Sequence, residues 1–353
     1  MKKILAVLVV MVMSLSLFAV SALAAEKIGV SMPTQSLQRW NQDGANMKAQ
    51  LEAAGFEVDL QYAGDNEVAL QVSQLENMIM TGAKVLVIAS IDGSALGTVL
   101  AEAKEAGIPV IAYDRLIMAT DAVDYYATFD NYMVGTIQGQ YVESALGLAD
   151  GNGPFNIEFV GGSPDDNNAL YFFQGAMDVL QPYLDSGMLV CVSGQTEFEQ
   201  VATPAWNTAT AQSRFDQIIT ANYATGTKLD AVLCSNDSTA MGVLNALANA
   251  GYANDEYPVI TGQDCDKPNM PAIIDGRQSM SVFKDTRTLA SKVVEMVQAI
   301  MDGNEPEVND TETYDNGVKV VPSFLCAPVF GDVSNYMELL IDSGYYTLED
   351  IGQ

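Results

Sequence analysis

Histidine is absent from this 353-residue chain. Its absence removes Ser-His-Asp and Cys-His nucleophilic machinery and the imidazole ligands on which most zinc enzymes depend. Basic residues are scarce: 16 Lys and Arg stand against 45 Asp and Glu, a formal net charge of −29. Such a surface repels the phosphates of nucleic acid and of anionic lipid, so neither is an expected partner. No G-x-S-x-G elbow, P-loop or G-x-G-x-x-G turn occurs. Cysteine is limited to Cys191, Cys234, Cys265 and Cys326, whose spacings match no zinc pattern. Cys191, Cys234 and Cys326 lie in apolar runs where buried free thiols are common, while Cys234 and Cys265 both follow strand ends, which leaves a pairing open. Asp150-Gly151-Asn152-Gly153 lacks the further ligands of a calcium loop and reads as a turn. No cofactor is expected. A carboxylate pair for glycoside cleavage has no fixed spacing, so motifs alone leave that chemistry open.

What is present begins with a leader. Met1-Lys2-Lys3 is basic, Ile4 to Val20 is apolar apart from Ser14 and Ser16, and Ala22-Leu23-Ala24 offers a small-residue cleavage site. This pattern predicts an export signal over residues 1–24, cleaved near Ala24. No cysteine sits near the cut to take a lipid, and no other run is long and apolar enough to span a bilayer. The remaining length suits two domains of ordinary size.

One unit repeats along the chain: an apolar run, a loop, an amphipathic helix and a helix-ending glycine. Ile28–Met32, Phe56–Tyr62, Val85–Ala89 and Val110–Tyr113 read as strands; helical faces recur at Trp40–Ala54, Val68–Ile79 and Leu96–Ala103. Further strands are expected at Tyr126–Phe129, Phe155–Val160, Met188–Val192, Ala231–Cys234, Val259–Thr261 and Met280–Phe283, and late ones at Val318–Val321 and Phe324–Val329. Such alternation predicts α/β architecture with parallel sheets covered by helices on both faces. No long Gly/Ser or Pro linker interrupts it, so a hinge is expected rather than a flexible tether.

Parallel sheets bind ligands at the carboxyl ends of their strands. Those positions carry Arg39-Trp40, Asp114-Arg115, Asp165-Asp166-Asn167-Asn168, Ser235-Asn236-Asp237, Gly262-Gln263-Asp264 and Lys284-Asp285. Carboxylates accept, Arg and Lys donate and Asn does both, a set that matches the hydroxyls of a sugar. Trp40 and Trp206 are the only tryptophans, and both stand in polar, loop-like contexts. Helix N-capping is the competing explanation for Asp166, Asp237 and Asp285. It does not extend to Arg39, Arg115 or Lys284, which cannot cap an N-terminus.

At these residues the chain resembles the periplasmic sugar-binding proteins of ABC importers, and among them the multiple-sugar-binding and D-xylose-binding group. The likeness rests on Arg39-Trp40 and on VLVIASIDG (85–93), AYDRL (112–116), YYATFDN (125–131), GPFNIEFVGGSPDDNNA (153–169), TATAQSRFDQ (208–217), SND (235–237), TGQD (261–264), FKDTRTLA (283–290) and PEVNDTETYDNGVKVVPS (306–323). The resemblance implies two doubly wound parallel-sheet domains joined by a three-strand hinge. One would comprise residues 26–130 and 285–320, the other 131–284 and 321–353. It further implies that Arg39, Asp114 and Arg115 bind sugar hydroxyls from the first domain. Asp166, Asn168, Asn236 and Asp264 would do so from the second, with Lys284 at the hinge and Trp40 and Trp206 sandwiching the ring. Asn207 departs from the group, where Asp often follows the second tryptophan. The implied partners are a monosaccharide (an aldopyranose such as xylose, glucose or galactose), an ABC permease and a chemoreceptor or sensor kinase. A periplasmic monomer is implied. A secreted sugar-modifying enzyme and a sugar-responsive transcription factor are the rivals. Missing histidine argues against the first; the leader, the acidity and the lack of a DNA-binding segment ahead of the first strand argue against the second.

Overall fold

The computed structural model describes residues 25–353. The leader predicted over residues 1–24 lies outside the described residues. The first sheet is built from β1 (Lys27–Met32), β2 (Glu57–Tyr62), β3 (Val85–Ile88), β4 (Val110–Tyr113), β5 (Tyr125–Phe129) and β11 (Ser323–Cys326), in the order β11-β5-β4-β3-β1-β2. All its pairings are parallel. Helices α1 (Gln38–Ala53) and α10 (Thr286–Met301) cover one face through Met47, Leu51, Leu289 and Val293. Helices α2 (Val68–Met80) and α3 (Gly97–Glu105) cover the other through Leu75, Met78, Val99 and Leu100. Layers on both faces explain why β3 and β4 are continuous apolar runs: every residue of each is buried.

The second sheet takes β6 (Phe155–Val160), β7 (Leu189–Cys191), β8 (Ala231–Cys234) and β9 (Val259–Ile260) in the parallel order β7-β6-β8-β9. Helices α4 (Asn131–Leu146) and α5 (Asn167–Asp185) pack on one face; α7 (Thr208–Ile218) and α8 (Asp237–Asn249) pack on the other. Short helices α6 (Phe198–Val201) and α9 (Met270–Ile274) fill loops. The pair α4–α5 crosses closely because a side chain on Gly135 or Gly175 would run into the backbone of the opposite helix, at Phe172 and Tyr132. Strand β10 (Ser281–Phe283) pairs antiparallel with β12 (Val329–Gly331) and bridges to Gln263 beside β9. The chain thus passes between the two sheets three times: after β5, after β10 and after β11.

Three expectations are corrected. Val318–Val321 forms no strand; it makes a single bridge, Asp315 to Val320, and Val318 and Val320 stand exposed, so a β-branched run here lacks a sheet to join. Phe324–Val329 is two strands in different sheets, not one. Pro328 has no N–H for a ladder, and the break at Ala327-Pro328 is where the chain makes its third crossing. The change of side expected between 320 and 321 therefore comes after Cys326, because Ser323–Cys326 pairs with Tyr126–Phe129 of the first sheet. All four cysteines are free thiols, three of them buried.

Candidate functional site

The loops that follow the strands of both sheets meet across a cleft. A cavity lies between them, as small-ligand pockets between two domains do. Arg39, Trp40, Asp114, Arg115, Asp166, Asn168, Trp206, Asn236, Asp264 and Lys284 all line it. Leu37 and Phe172, which the strand-end reading did not select, line it too, as does Gln263, which that reading named beside Asp264 but did not assign to the ligand.

From the first half, α1 presents Arg39 and Trp40 on its opening turn. The Arg39 guanidinium reaches Asp114 Oδ1 at 2.8 Å, Asp43 Oδ2 at 3.2 Å and, across the cleft, Asp264 Oδ1 at 3.7 Å. Burial opposes its charge, but Asp114, Asp43 and Asp264 outweigh it and hold its pKa well above the ordinary value. Asp114 adopts φ 61°, a left-handed conformation that costs a non-glycine residue of order 1 kcal/mol or more. Its carbonyl is pinned by the Tyr126 and Thr128 hydroxyls at 2.7 and 2.9 Å. Burial pushes the Asp114 carboxyl up, yet Arg39, Lys284 and Arg115 together hold it below the usual range. Arg115 donates to the Ser90 carbonyl at 3.0 Å and reaches Asp166 Oδ2 of the second half at 3.0 Å. The Trp40 ring lies under both guanidiniums, whose carbons stand 4.4 Å (Arg39) and 5.0 Å (Arg115) from its centroid.

From the second half, Asp166 caps α5 by accepting the Asn168 N–H and also accepts the Trp206 indole N–H at 3.2 Å. Capping and pocket lining are therefore one residue's two jobs. Asn236 likewise caps α8 through Thr239 while lining the cavity, and Asp285 caps α10. Asp237 is not a cap: it is fully buried behind the pocket, accepting from Gln278, Ser281 and the Asp266 N–H. Trp206 sits at φ 56° on a short turn, its ring edge-on to Phe172, and Gly162 makes room for it because a Cβ there would overlap the indole. Lys284, 3% exposed, reaches Asp264 Oδ1 at 3.1 Å and stands between the Phe129 and Phe172 rings. Asn168 faces the first half: its amide donates to the Asp114 carbonyl at 2.6 Å, and its oxygen accepts the Tyr126 hydroxyl at 2.9 Å. In this closed arrangement it ties the two halves directly.

Three cations thus meet three carboxylates: Arg39 with Asp114, Arg115 with Asp166, Lys284 with Asp264. The pairs balance, so the cavity suits an uncharged ligand rich in both donors and acceptors. Two lining atoms are buried without a protein partner, the donor Trp40 Nε1 and the acceptor Gln263 Oε1.

The buried acids behind the pocket set a pH dependence. Burial, with Asp114 nearby, pushes Asp43 up to about 6 against the pull of Arg39. Burial and Asp264 push Asp237 up as well. Groups raised in the folded state bind protons more tightly there than in the unfolded chain. They therefore remove stability as pH rises from the ordinary carboxylate range, ~4, through about 6. Asp114, held low, acts oppositely and favours folding above that range. We expect a higher urea midpoint at pH 5 than at pH 8, and a flatter profile for Asp237→Asn. A midpoint equal or higher at pH 8 would contradict this assignment.

Comparison with known proteins agrees with the geometry. The model of the periplasmic binding protein domain matches residues 28–305. The multiple sugar-binding periplasmic receptor ChvE of Rhizobium radiobacter is 50% identical over 355 residues, covering 99% of this chain and 100% of that protein. The D-xylose-binding periplasmic protein of Escherichia coli is 38% identical, covering 96% of this chain and 97% of that one. An ABC transporter solute-binding protein from Clostridium phytofermentans, solved with bound β-D-glucose, is 64% identical with a TM-score of 0.90, covering 92% of this chain and all of that one. With two doubly wound sheets, three crossings and a polar pocket between them, this chain belongs to the periplasmic binding protein family.

Proposed function

We propose that this protein captures a monosaccharide outside the cytoplasmic membrane, an aldopyranose such as glucose, xylose or galactose, and delivers it to an ABC importer without altering it. The observation that carries this reading is the charge-balanced pocket, in which each cation is matched by a carboxylate and two indoles share the walls. Relatives named for multiple sugars and D-xylose, and a neighbour holding β-D-glucose, support the ligand class. The first lobe takes the chain up to β5 together with α10 through β11; the second takes the rest. Arg39, Asp114, Arg115, Asp166, Asn236, Asp264 and Lys284 are the sugar's hydrogen-bonding groups, and Trp40 and Trp206 its packing surfaces.

Sugar bound to one open lobe makes half of these bonds. Closure completes them, so ligand shifts the population toward the closed form in proportion to its differential affinity. The permease then recognises the closed shape. Presentation to a chemoreceptor or sensor kinase is a second reading, favoured by the relative that is named a receptor.

A thermal-shift panel of pentoses and hexoses tests the proposal. A sugar at 100 times its dissociation constant adds ~2.7 kcal/mol of stability. No response to any pentose or hexose would sink the sugar reading, and a new product after incubation would overturn passive capture.

A further inference from the structure

The cleft continues beyond the pocket just described. A second cavity adjoins it, and Leu37, Arg115 and Trp206 line both. The rest of its wall comes from both lobes: Thr34, Asp65 and Asn66 follow β1 and β2, and Ser163 and Asp165 follow β6. In the inner pocket, Trp40, Asp114, Asn168, Asp264 and Lys284 are buried, whereas Asp65, Asn66 and Asp165 are exposed. The second cavity is therefore the side on which the inner pocket meets solvent, and the direction in which a longer ligand extends.

Its chemistry repeats that of the inner pocket, with the shared Arg115 as the one cation in its wall. Asp65 Oδ1 accepts the hydroxyls of Thr34 at 2.5 Å and Ser36 at 2.6 Å, which fixes the carboxylate and leaves Oδ2 for a ligand. Asp165 Oδ1 accepts the Ser163 hydroxyl, and Ser163 Oγ also accepts the Ala205 N–H at 2.8 Å, tying this wall to the turn that carries Trp206. Asn66, at φ 58°, adds an amide. Carboxylate oxygens from opposite lobes and an amide beside an indole accept from and donate to hydroxyls. Arg115 is already paired with Asp166, so Asp65 and Asp165 leave this wall net acidic and anions are repelled.

We infer that the second cavity is a subsite for a further sugar ring, so that the protein takes a disaccharide whose first ring fills the inner pocket. The inference rests on the reading of the inner pocket as a sugar site. The shared wall of Leu37, Arg115 and Trp206 supports it, since a ring linked to the first would meet this cavity next.

Calorimetry on the full mature protein tests it with D-glucose, D-xylose, cellobiose, maltose, gentiobiose and xylobiose. At least one disaccharide should bind and be displaced by the monosaccharide of its own rings. Asp65→Asn and Asn66→Gly, the latter keeping the left-handed backbone accessible, should each weaken that disaccharide by about tenfold while leaving the monosaccharide within about threefold. Retained monosaccharide binding also shows that the variants fold. If monosaccharides bind and no disaccharide does, the subsite is overturned and the inner-pocket reading stands. A disaccharide bound equally by wild type and both variants overturns it too. If nothing binds, the inner-pocket reading fails first.

Discussion

Arg39→Ala is expected to lower unfolding free energy at neutral pH by about 3–5 kcal/mol and to weaken sugar binding by more than about 100-fold. The reason is shared dependence. Asp43, Asp114 and Asp264 are all buried, and all three lie within 4 Å of one guanidinium. Removing it leaves neighbouring carboxylates to repel one another where water cannot screen them. Without that cation the Asp43 carboxyl is pushed higher still and Asp114 loses the chief partner that holds it low, so the variant should recover stability on acidification more steeply than wild type. Arg39→Lys keeps the charge but not the fork that spans both lobes, and should fall between. Urea unfolding at two pH values and calorimetry read all of this. An alanine variant within 1 kcal/mol of wild type would remove Arg39 from the centre of the site.

The second large effect belongs to Trp206. Its indole is held by the Asp166 carboxylate, by Phe172 and by the space over Gly162. Trp206→Ala should weaken sugar binding by about 2–4 kcal/mol, as loss of a central aromatic anchor does. Gly162→Ala should reproduce much of that loss although it removes no ligand-facing atom, because its methyl displaces the ring. If Gly162→Ala binds as wild type while Trp206→Ala does not, the ring has room to shift and the close contact is not what places it.

The buried strands were legible because a parallel strand covered on both faces must be apolar throughout; Val85–Ile88 and Val110–Tyr113 are examples. The same rule misled at Val318–Val321, where Val318 and Val320 lie exposed after the turn at Gly317 and only Val321 is buried. Pro328 was the readable signal that Phe324–Val329 could not be one strand. In the site, charged strand-end residues stood out because few other reasons put Arg or Lys there. Phe172 did not, since an aromatic one turn beyond Asn168 on α5 looks like core until the cleft is assembled. Gln263 stood next to Asp264 and was passed over for the charge; its side chain enters the cavity on the same strand end. That Asn168 spends its amide on the opposite lobe depends on two loops far apart in sequence, which no local pattern records.

The placement of the indoles has an optical consequence. The chain has two tryptophans, and both line the one inner cavity. One sits beneath two guanidiniums and the other beside a carboxylate, so both emit from a field that changes when the lobes part. Red-edge-excited ultraviolet emission therefore reports on the cleft alone, with no background from elsewhere in the fold. The unlabelled protein is its own gauge of opening and closing, readable in real time as ligand enters and leaves.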